Sequence, residues 1–202
     1  MEPSPGEEQK PAPLFLRMLA FVMDCIFVIF ASLILVKGFF PDEIASGRKT
    51  MERYNDEMLT LKEAANRGDR TANEAMQRLL ENLIQEPSWI AMMEAAILSF
   101  LCTAITYWFV GERFFAGSSL GKRMFSLATI NLTDGNAPGT GIALFRSFLK
   151  AIALVQQYLA LSYLVALFNH RRMTGHDWAC RTIVIRGQVK VKEQEESTNS
   201  LH

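Results

Sequence analysis

Cysteine is scarce in this 202-residue chain, with only Cys25, Cys102 and Cys180, far apart in sequence. Disulfide frameworks and zinc sites need several cysteines or a close spacing. Two of the three thiols lie inside apolar runs, where a thiol packs as a small hydrophobic group. His170 and His176, six residues apart, give only a weak metal signal. We therefore expect no disulfide framework, no metal and no cofactor.

The chain also has no net charge, because its 21 basic and 21 acidic residues balance. No basic face is interleaved with aromatic residues, so nucleic acid is not an expected partner. The segment GSSLGKR at 117–123 does not fit a phosphate-binding loop, which needs four residues between its glycines and Ser or Thr after the lysine. With no nucleophile paired to a base, we expect no enzyme.

Long apolar runs are what the sequence does contain, although its mean hydropathy is only +0.10. A membrane-spanning helix needs about 20 apolar residues. The run at 14–36 is longer than the roughly 7–15 apolar residues of a signal peptide. We predict an all-α membrane protein with two clear transmembrane helices and a third apolar segment that either spans or re-enters the membrane. The three runs are 14–36, 89–110 and 142–168.

Polar segments separate these runs. Residues 1–13 are rich in Pro and Glu and predict a disordered tail. Residues 42–87 predict a helical insertion outside the membrane, in which a turn-forming connection with Gly38, Pro41 and Gly47 leads into helix at 48–86 that is divided at Gly68 and Asp69. A small β element is predicted near the C-terminus. The expected parts are a membrane domain at 14–186, strands at 126–132 and 182–192, a turn at 134–136, and a C-terminal strand and polar tail at 187–202.

Two charged residues, Arg17 and Asp24, interrupt the first apolar run. An aspartate near the bilayer centre costs at least about 2.5–3.5 kcal/mol unless protein or water receives it. The two residues are separated by about 10 Å of helical rise, too far for an easy ion pair. Arg17 can reach the interface. Asp24 needs a cation, a hydrogen-bond donor, a bound ion or its own proton, and the obvious candidates are Arg146 and Lys150, which lie one helical turn apart.

Other basic residues flank the apolar runs. Near an anionic membrane surface each such residue contributes about 1 kcal/mol. We therefore expect contact with anionic headgroups from Lys122, Arg123, Arg171 and Arg172.

Four segments resemble the RDD family of small, mainly bacterial membrane proteins: FLRMLAFVMDCIFV, GSSLGKRMFSLATI, RSFLK and RRMTGHDWACRTIVI. The resemblance covers most of 14–186 except the 42–87 insertion. It implies that Arg17, Asp24 and Asp177 are the residues for which the family is named, and it carries a suspected role in transport. One departure is GHDWACRT, where family members often have a glycine near Ala179 and Cys180.

The distribution of charge predicts a topology. The insertion at 42–87 holds ten acidic and seven basic residues, so the positive-inside rule places it across the membrane from the basic flanks. Three full spans would put the two termini on opposite sides. Either the C-terminus is translocated, or 142–168 breaks near Gln156 and returns to the same face. We favour the second, which lets the two strands pair and brings Asp177 close to Arg17.

Two functions remain open. The first is a small, homo-oligomeric transporter or ion-coupling protein of the cell membrane, in which Asp24 titrates or binds a cation. The alternative is a membrane assembly module in which Arg17, Asp24 and Asp177 form structural pairs. Asp24→Asn would abolish flux in the first case and lower stability in the second.

Overall fold

The computed structural model describes residues 11–69, 71–156 and 173–187. The predictions for Arg171, Arg172, His170, the end of the third apolar run and residues 188–202 lie outside the described residues. The chain divides into two compact units, one formed by 1–28 with 103–202 and the other by 29–102. Each unit is described separately.

Within the described ranges, two helices are long and apolar enough to cross a membrane, α1 at Leu14–Phe39 and α4 at Pro87–Phe114. They contain the first two predicted runs. Only 28% of the most apolar window of α1 and 17% of that of α4 are buried. A core helix of a soluble protein would be mostly buried, so the exposed apolar faces favour lipid as the surrounding solvent.

The third apolar run begins as α6, Thr140–Val155, a helix of 16 residues. This is shorter than the roughly 20 residues that a span requires. The helix ends where Gln156 adopts an extended backbone conformation, close to the predicted break. Because residues 157–172 are not described, the choice between spanning and re-entrant remains a prediction.

In the unit of residues 29–102, the polar insertion forms the predicted helical hairpin. It consists of α2, Pro41–Asn66, and α3, Ala72–Gln85, which pack together. Gly68 has φ +92° and makes the turn, as its lack of a Cβ permits. The turn expected at Pro41 to Gly47 is wrong, because Pro41 begins α2. Proline is tolerated in the first helical turn, where its missing N–H would have no intrahelical partner.

The other unit contains a two-stranded antiparallel sheet. Strand β1, Leu127–Asn131, pairs with β2, Thr182–Arg186, so that Leu127 faces Arg186 and Asn131 faces Thr182. The predicted strand pairing is confirmed. Ala12 is fully buried, and its N–H donates to the carbonyl of Val184 at 3.0 Å. The disordered tail predicted for 1–13 therefore does not extend to residue 12, because this backbone lies against the sheet edge.

The described residues of this unit also form two short helices, α5 at Leu120–Met124 and α7 at Gly175–Ala179. The expected turn is present at Asp134, Gly135 and Asn136, where Gly135 has φ +70° and Asp134 accepts a hydrogen bond from the Asn136 N–H. Where family resemblance suggests a glycine, the chain instead turns at Arg181 with φ +50°.

Candidate functional site

Asp24, in the middle of α1, is 2% exposed and accepts three hydrogen bonds. The Tyr107 hydroxyl donates to Oδ1 at 2.7 Å, and the Gly121 N–H donates to the same oxygen at 2.8 Å. The Ser119 hydroxyl donates to Oδ2 at 2.5 Å. These donors come from α4 and from the segment at the start of α5. All three are neutral, so the described partners of the buried carboxylate are dipoles and not an ion pair.

Gly121 is required at this site by close packing. A Cβ at this position would overlap the Ala20 carbonyl oxygen and lie 2.7 Å from Oδ1 of Asp24. Only glycine lets the backbone N–H approach the carboxylate this closely. The segment 117–123, rejected above as a phosphate loop, therefore serves as an aspartate-binding turn within the protein.

Arg146 and Lys150 were predicted as partners of Asp24, and this prediction is wrong. Both side chains instead donate to Oε1 of Glu112, near the end of α4. Lys122 also donates to that oxygen, at 3.1 Å. One turn of α6 thus directs two cations at a carboxylate which the sequence interpretation had not singled out.

Thr129 of β1 joins the same cluster. Its hydroxyl oxygen accepts from Lys122 at 2.6 Å and from Arg146 at 3.1 Å. Glu112, Thr129 and Arg146 are each at most 1% exposed. Two polar atoms there, Oε2 of Glu112 and Nε of Arg146, have no hydrogen-bond partner among the described residues.

Asp177 extends the network to the start of α1. Arg146 donates to Oδ1 of Asp177, and Arg17 donates to Oδ2. The contact between Arg17 and Asp177 was predicted and is confirmed. Asp177 also closes a capping box with Thr174 at the start of α7, accepting from the Thr174 N–H at 3.1 Å. The carboxylate thereby orders the chain before β2 and links α1 to α6.

The surface role predicted for Lys122 is wrong. Its side chain is only 10% exposed and lies between Glu112 and Thr129. The neighbouring Arg123 is exposed, with its guanidinium 5.2 Å from the ring centroid of Phe115. The backbone of α5 thus places one of two adjacent basic residues in a buried environment and the other in an exposed one. Local charge along the sequence does not show this difference.

Burial and neighbouring charges change the protonation of groups outside the spanning helices. Burial lowers the pKa of Lys122 to about 7, with Glu112 opposing the shift. Burial also lowers the pKa of His176 well below its usual range, so the ring is neutral at pH 7. Burial alone would raise the pKa of Asp177, but Arg146 and Arg17 outweigh it and hold that pKa well below its usual range.

Among the residues that the structure describes, the buried groups are not balanced in charge. Four cationic side chains meet three carboxylates, of which Asp24 is held by neutral donors. Desolvated charge is expensive unless it is compensated, so an excess cation is unusual in a purely structural network. The cationic members are Arg17, Lys122, Arg146 and Lys150, and the carboxylates are Asp24, Glu112 and Asp177.

A pocket of about 270 Å³ adjoins these groups. All four cationic side chains line the pocket, and Asp24 is the carboxylate among the described residues that lines it. Glu112 and Asp177 do not line the pocket. The rest of the wall is largely apolar, with Met18, Phe21 and Trp108 among its residues. Lys150 Nζ lies 5.6 Å from the Trp108 ring centroid, a cation–π distance. The pocket therefore combines a cationic side with an apolar side.

The part of the chain that the structure describes contains no cluster of side chains suited to bind a metal ion. No group of three or more His, Cys, Asp or Glu side chains there could hold an ion. Cys25, Cys102 and Cys180 are free thiols. The His176 ring, considered above as a weak metal signal, is hydrogen-bonded to the Thr174 hydroxyl at 2.9 Å.

Three residues that the sequence did not single out form contacts with the predicted site residues. Glu112 falls at the edge of the second apolar run, where a charge usually reaches the interface. Ser119 lies in a loop, and Tyr107 lies near the end of the second apolar run, where amphipathic rings favour the membrane interface. The detectable signal was energetic, because two buried cations one turn apart in 142–168 require a carboxylate.

Comparison with known proteins identifies the family to which the chain belongs. No curated protein and no solved structure gives a match. The profile of the RDD family matches residues 11–181, which is most of the chain and includes all three of these residues. The protein, a membrane-type chain with two helices apolar enough to span a bilayer, therefore belongs to the RDD family.

Proposed function

We propose that this RDD family protein is a multi-pass protein of the cell membrane that acts as a small transporter or ion-coupling protein. The working groups in this proposal are the charges around Glu112 and not Asp24. The observation that carries it is the convergence of Lys122, Arg146 and Lys150 on one buried carboxylate oxygen. Intramembrane and buried ionisable groups of this kind are expensive and are characteristic of ion and proton pathways.

Asp24 has a different place in the proposal. Its three neutral donors satisfy both carboxylate oxygens. A bound cation would have to share these oxygens with donors that present hydrogens to them. The carboxylate is therefore assigned a structural role, joining α1 to α4 and to the turn before α5.

Lys122 supplies the group that can exchange a proton. Its pKa of about 7 means that the ammonium and the neutral amine are both populated near neutral pH. Loss of its proton removes the excess positive charge from the network. Proton release from Lys122 and binding of a cation next to Glu112 would then be coupled, since each changes the same local charge.

Flux in proteoliposomes tests the proposal. The purified protein is reconstituted with a pH-sensitive dye inside, and Na⁺, K⁺ or proton gradients are imposed. We expect Lys122→Met and Glu112→Gln to reduce dye response at least tenfold, and Arg123→Met, which alters an exposed neighbouring cation, to retain it. Flux that persists in a folded Lys122→Met protein would contradict the proposal.

The assembly module remains the second candidate because of the hairpin in residues 29–102. Its helices expose large apolar side chains, among them Leu59 at 52%, Leu80 at 50% and Ile84 at 66%. On this proposal the hairpin forms contacts between copies of the chain in a homo-oligomer. Light scattering in detergent should then give a smaller particle for Leu80→Gln with Ile84→Gln than for the wild type, and absence of flux in the wild type would favour this role.

The membrane topology is part of the same proposal. In this topology α1 and α4 both cross the membrane, and the positive-inside rule places the acidic 42–87 insertion across the membrane from the basic flanks. Single cysteines at exposed Glu63 and Thr133, in a background without Cys25, Cys102 and Cys180, test this. We expect an impermeant maleimide added from one side of intact cells to label one position and not the other.

A further inference from the structure

We propose that the pocket beside the charge network binds an amphiphilic oxyanion, a carboxylate or phosphate group attached to an apolar body. This binding site does not depend on the transport function proposed above. It follows from which residues face the pocket and which stand behind them.

The charge of the wall is the first argument. Arg17, Lys122, Arg146 and Lys150 line the pocket, and Asp24 is the carboxylate that does so. Asp24 is already held by three hydrogen-bond donors. The other two carboxylates contact these cations without lining the pocket. An anion in the pocket would therefore meet a net positive wall, which stays positive when Lys122 has released its proton.

The chemistry of the donors is the second argument. Arg17 and Arg146 each direct a guanidinium nitrogen at one oxygen of Asp177, so the network already contains oxyanion recognition by two arginines. Planar guanidinium groups match carboxylate and phosphate geometry. The ammonium groups of Lys122 and Lys150 add point charges on the same wall.

The apolar residues are the third argument. Leu14, Met18, Phe21 and Trp108 line the same pocket. Phe21 and Trp108 stack with ring centroids 6.2 Å apart, giving a flat apolar surface. Met18 is 58% exposed, on the face of α1 that offers apolar side chains to lipid. A ligand with an oxyanion at one end and an apolar body at the other matches both sides.

The size limits the ligand. A volume of about 270 Å³ is just below the roughly 300–1,000 Å³ of pockets that enclose a drug-sized molecule. A free phosphate would leave the apolar side empty, and a whole phospholipid would fit only in part. The site accepts either a small soluble amphiphile such as a medium-chain carboxylate, or the anionic headgroup end of a lipid.

Trp108 provides a reporter for the test. With Trp89→Phe and Trp178→Phe, the remaining indole fluorescence comes from the pocket wall. The full-length protein is placed in phosphatidylcholine nanodiscs and titrated with octanoate. We expect a saturable change with octanoate, a much weaker one with inorganic phosphate, and none beyond nonspecific partitioning with octyltrimethylammonium.

Variants decide whether the pocket is responsible. Lys150→Met should weaken octanoate binding at least tenfold, whereas Arg123→Met, which removes an exposed cation outside the pocket, should leave it unchanged. If Lys150→Met does not fold, Met18→Phe replaces it, since it narrows the apolar side without touching the charge network. That substitution should weaken octanoate binding several-fold.

Nanodiscs that contain phosphatidylglycerol distinguish the two sources of the anion. A lipid ligand would occupy the pocket and reduce the octanoate response, whereas a soluble ligand would leave the response unchanged, and both results support the site. An octanoate response no larger than that of octyltrimethylammonium would overturn the proposal. A phosphate response as strong as that of octanoate would overturn the amphiphilic assignment.

Discussion

Arg146 of α6 donates a hydrogen bond to Glu112 of α4, and both side chains are almost completely buried, at 1% and 0% exposure. Arg146 also reaches Asp177, so one guanidinium joins the carboxylates of Glu112 and Asp177. The contact connects three segments that are far apart in sequence. It makes Glu112 and Arg146 the centre of the site and leaves Asp24 to a separate hydrogen-bonded arrangement.

Gly121→Ala should destabilise the protein through the Asp24 arrangement. The new Cβ would overlap the Ala20 carbonyl oxygen and crowd Oδ1 of Asp24, and overpacking typically costs about 1–3 kcal/mol. We expect a lower melting temperature in detergent. Gly141→Ala in α6 is the control, because nothing lies within 4 Å of its added Cβ. Equal melting temperatures for the two variants would refute the close approach at Gly121.

Tyr107→Phe should lower stability by about 1.5–3 kcal/mol, the usual range for a hydrogen bond to a charged group. The hydroxyl donates to Asp24 at 2.7 Å, and its removal leaves one buried oxygen with fewer donors. Thermal unfolding followed by circular dichroism measures the effect. Tyr54→Phe serves as a control, since the described contact of that residue uses its ring, 5.1 Å from Arg53. Asp24→Asn is expected to lower stability as well, while flux per folded molecule persists.

Lys122 should make stability depend on pH above neutrality. Its pKa falls from 10.5 to about 7 on folding, so between these values the unfolded chain holds a proton that the native protein has released. Stability therefore rises with pH from about 7 to about 10. Lys122→Met should remove this rise, and Lys62→Met, at an exposed position of α2, should preserve it. Melting curves of the wild type that stay flat over this range would count against the buried placement of Lys122.

Arg17 and Asp177 should show strong energetic coupling. Removing one partner of a buried ion pair costs about 3–5 kcal/mol because the other charge remains buried; the side chains here are 9% and 0% exposed. A double-mutant cycle with Arg17→Gln and Asp177→Asn measures the coupling in denaturant or thermal melts. The exposed pair Arg48 and Glu52 on α2 is the control, with about 0.3–0.5 kcal/mol expected. A coupling no larger than that of the control pair would rule out this contact as a buried ion pair.

Several features of the fold follow from local sequence. Apolar length predicts α1 and α4, and the three- and four-residue spacing of Met51, Tyr54 and Met58 predicts the first helix of the hairpin. Alternating residues predict both strands. These predictions succeed because the period and length of an apolar pattern are set by backbone geometry over a few turns.

Side-chain partners were harder to predict than helices and strands. Arg17 and Asp177 were paired correctly through strand pairing and the family resemblance. Arg146 and Lys150 were proposed as partners of Asp24, whereas both donate to Glu112, a residue that the sequence analysis did not consider. Local charge does not show which of two carboxylates receives neutral donors from Tyr107 and Ser119.

By itself the sequence determined the membrane character, the polar hairpin, the two strands and the need of Asp24 for a buried partner. Each of these depends on composition within one continuous segment. Only the tertiary structure decided that Asp24 is satisfied by hydroxyl and amide donors and that Lys122 turns inward to Glu112. The physical reason is that a buried charge is stabilised by groups within a few ångströms, and chain folding alone brings residues 83 to 97 positions apart to that distance.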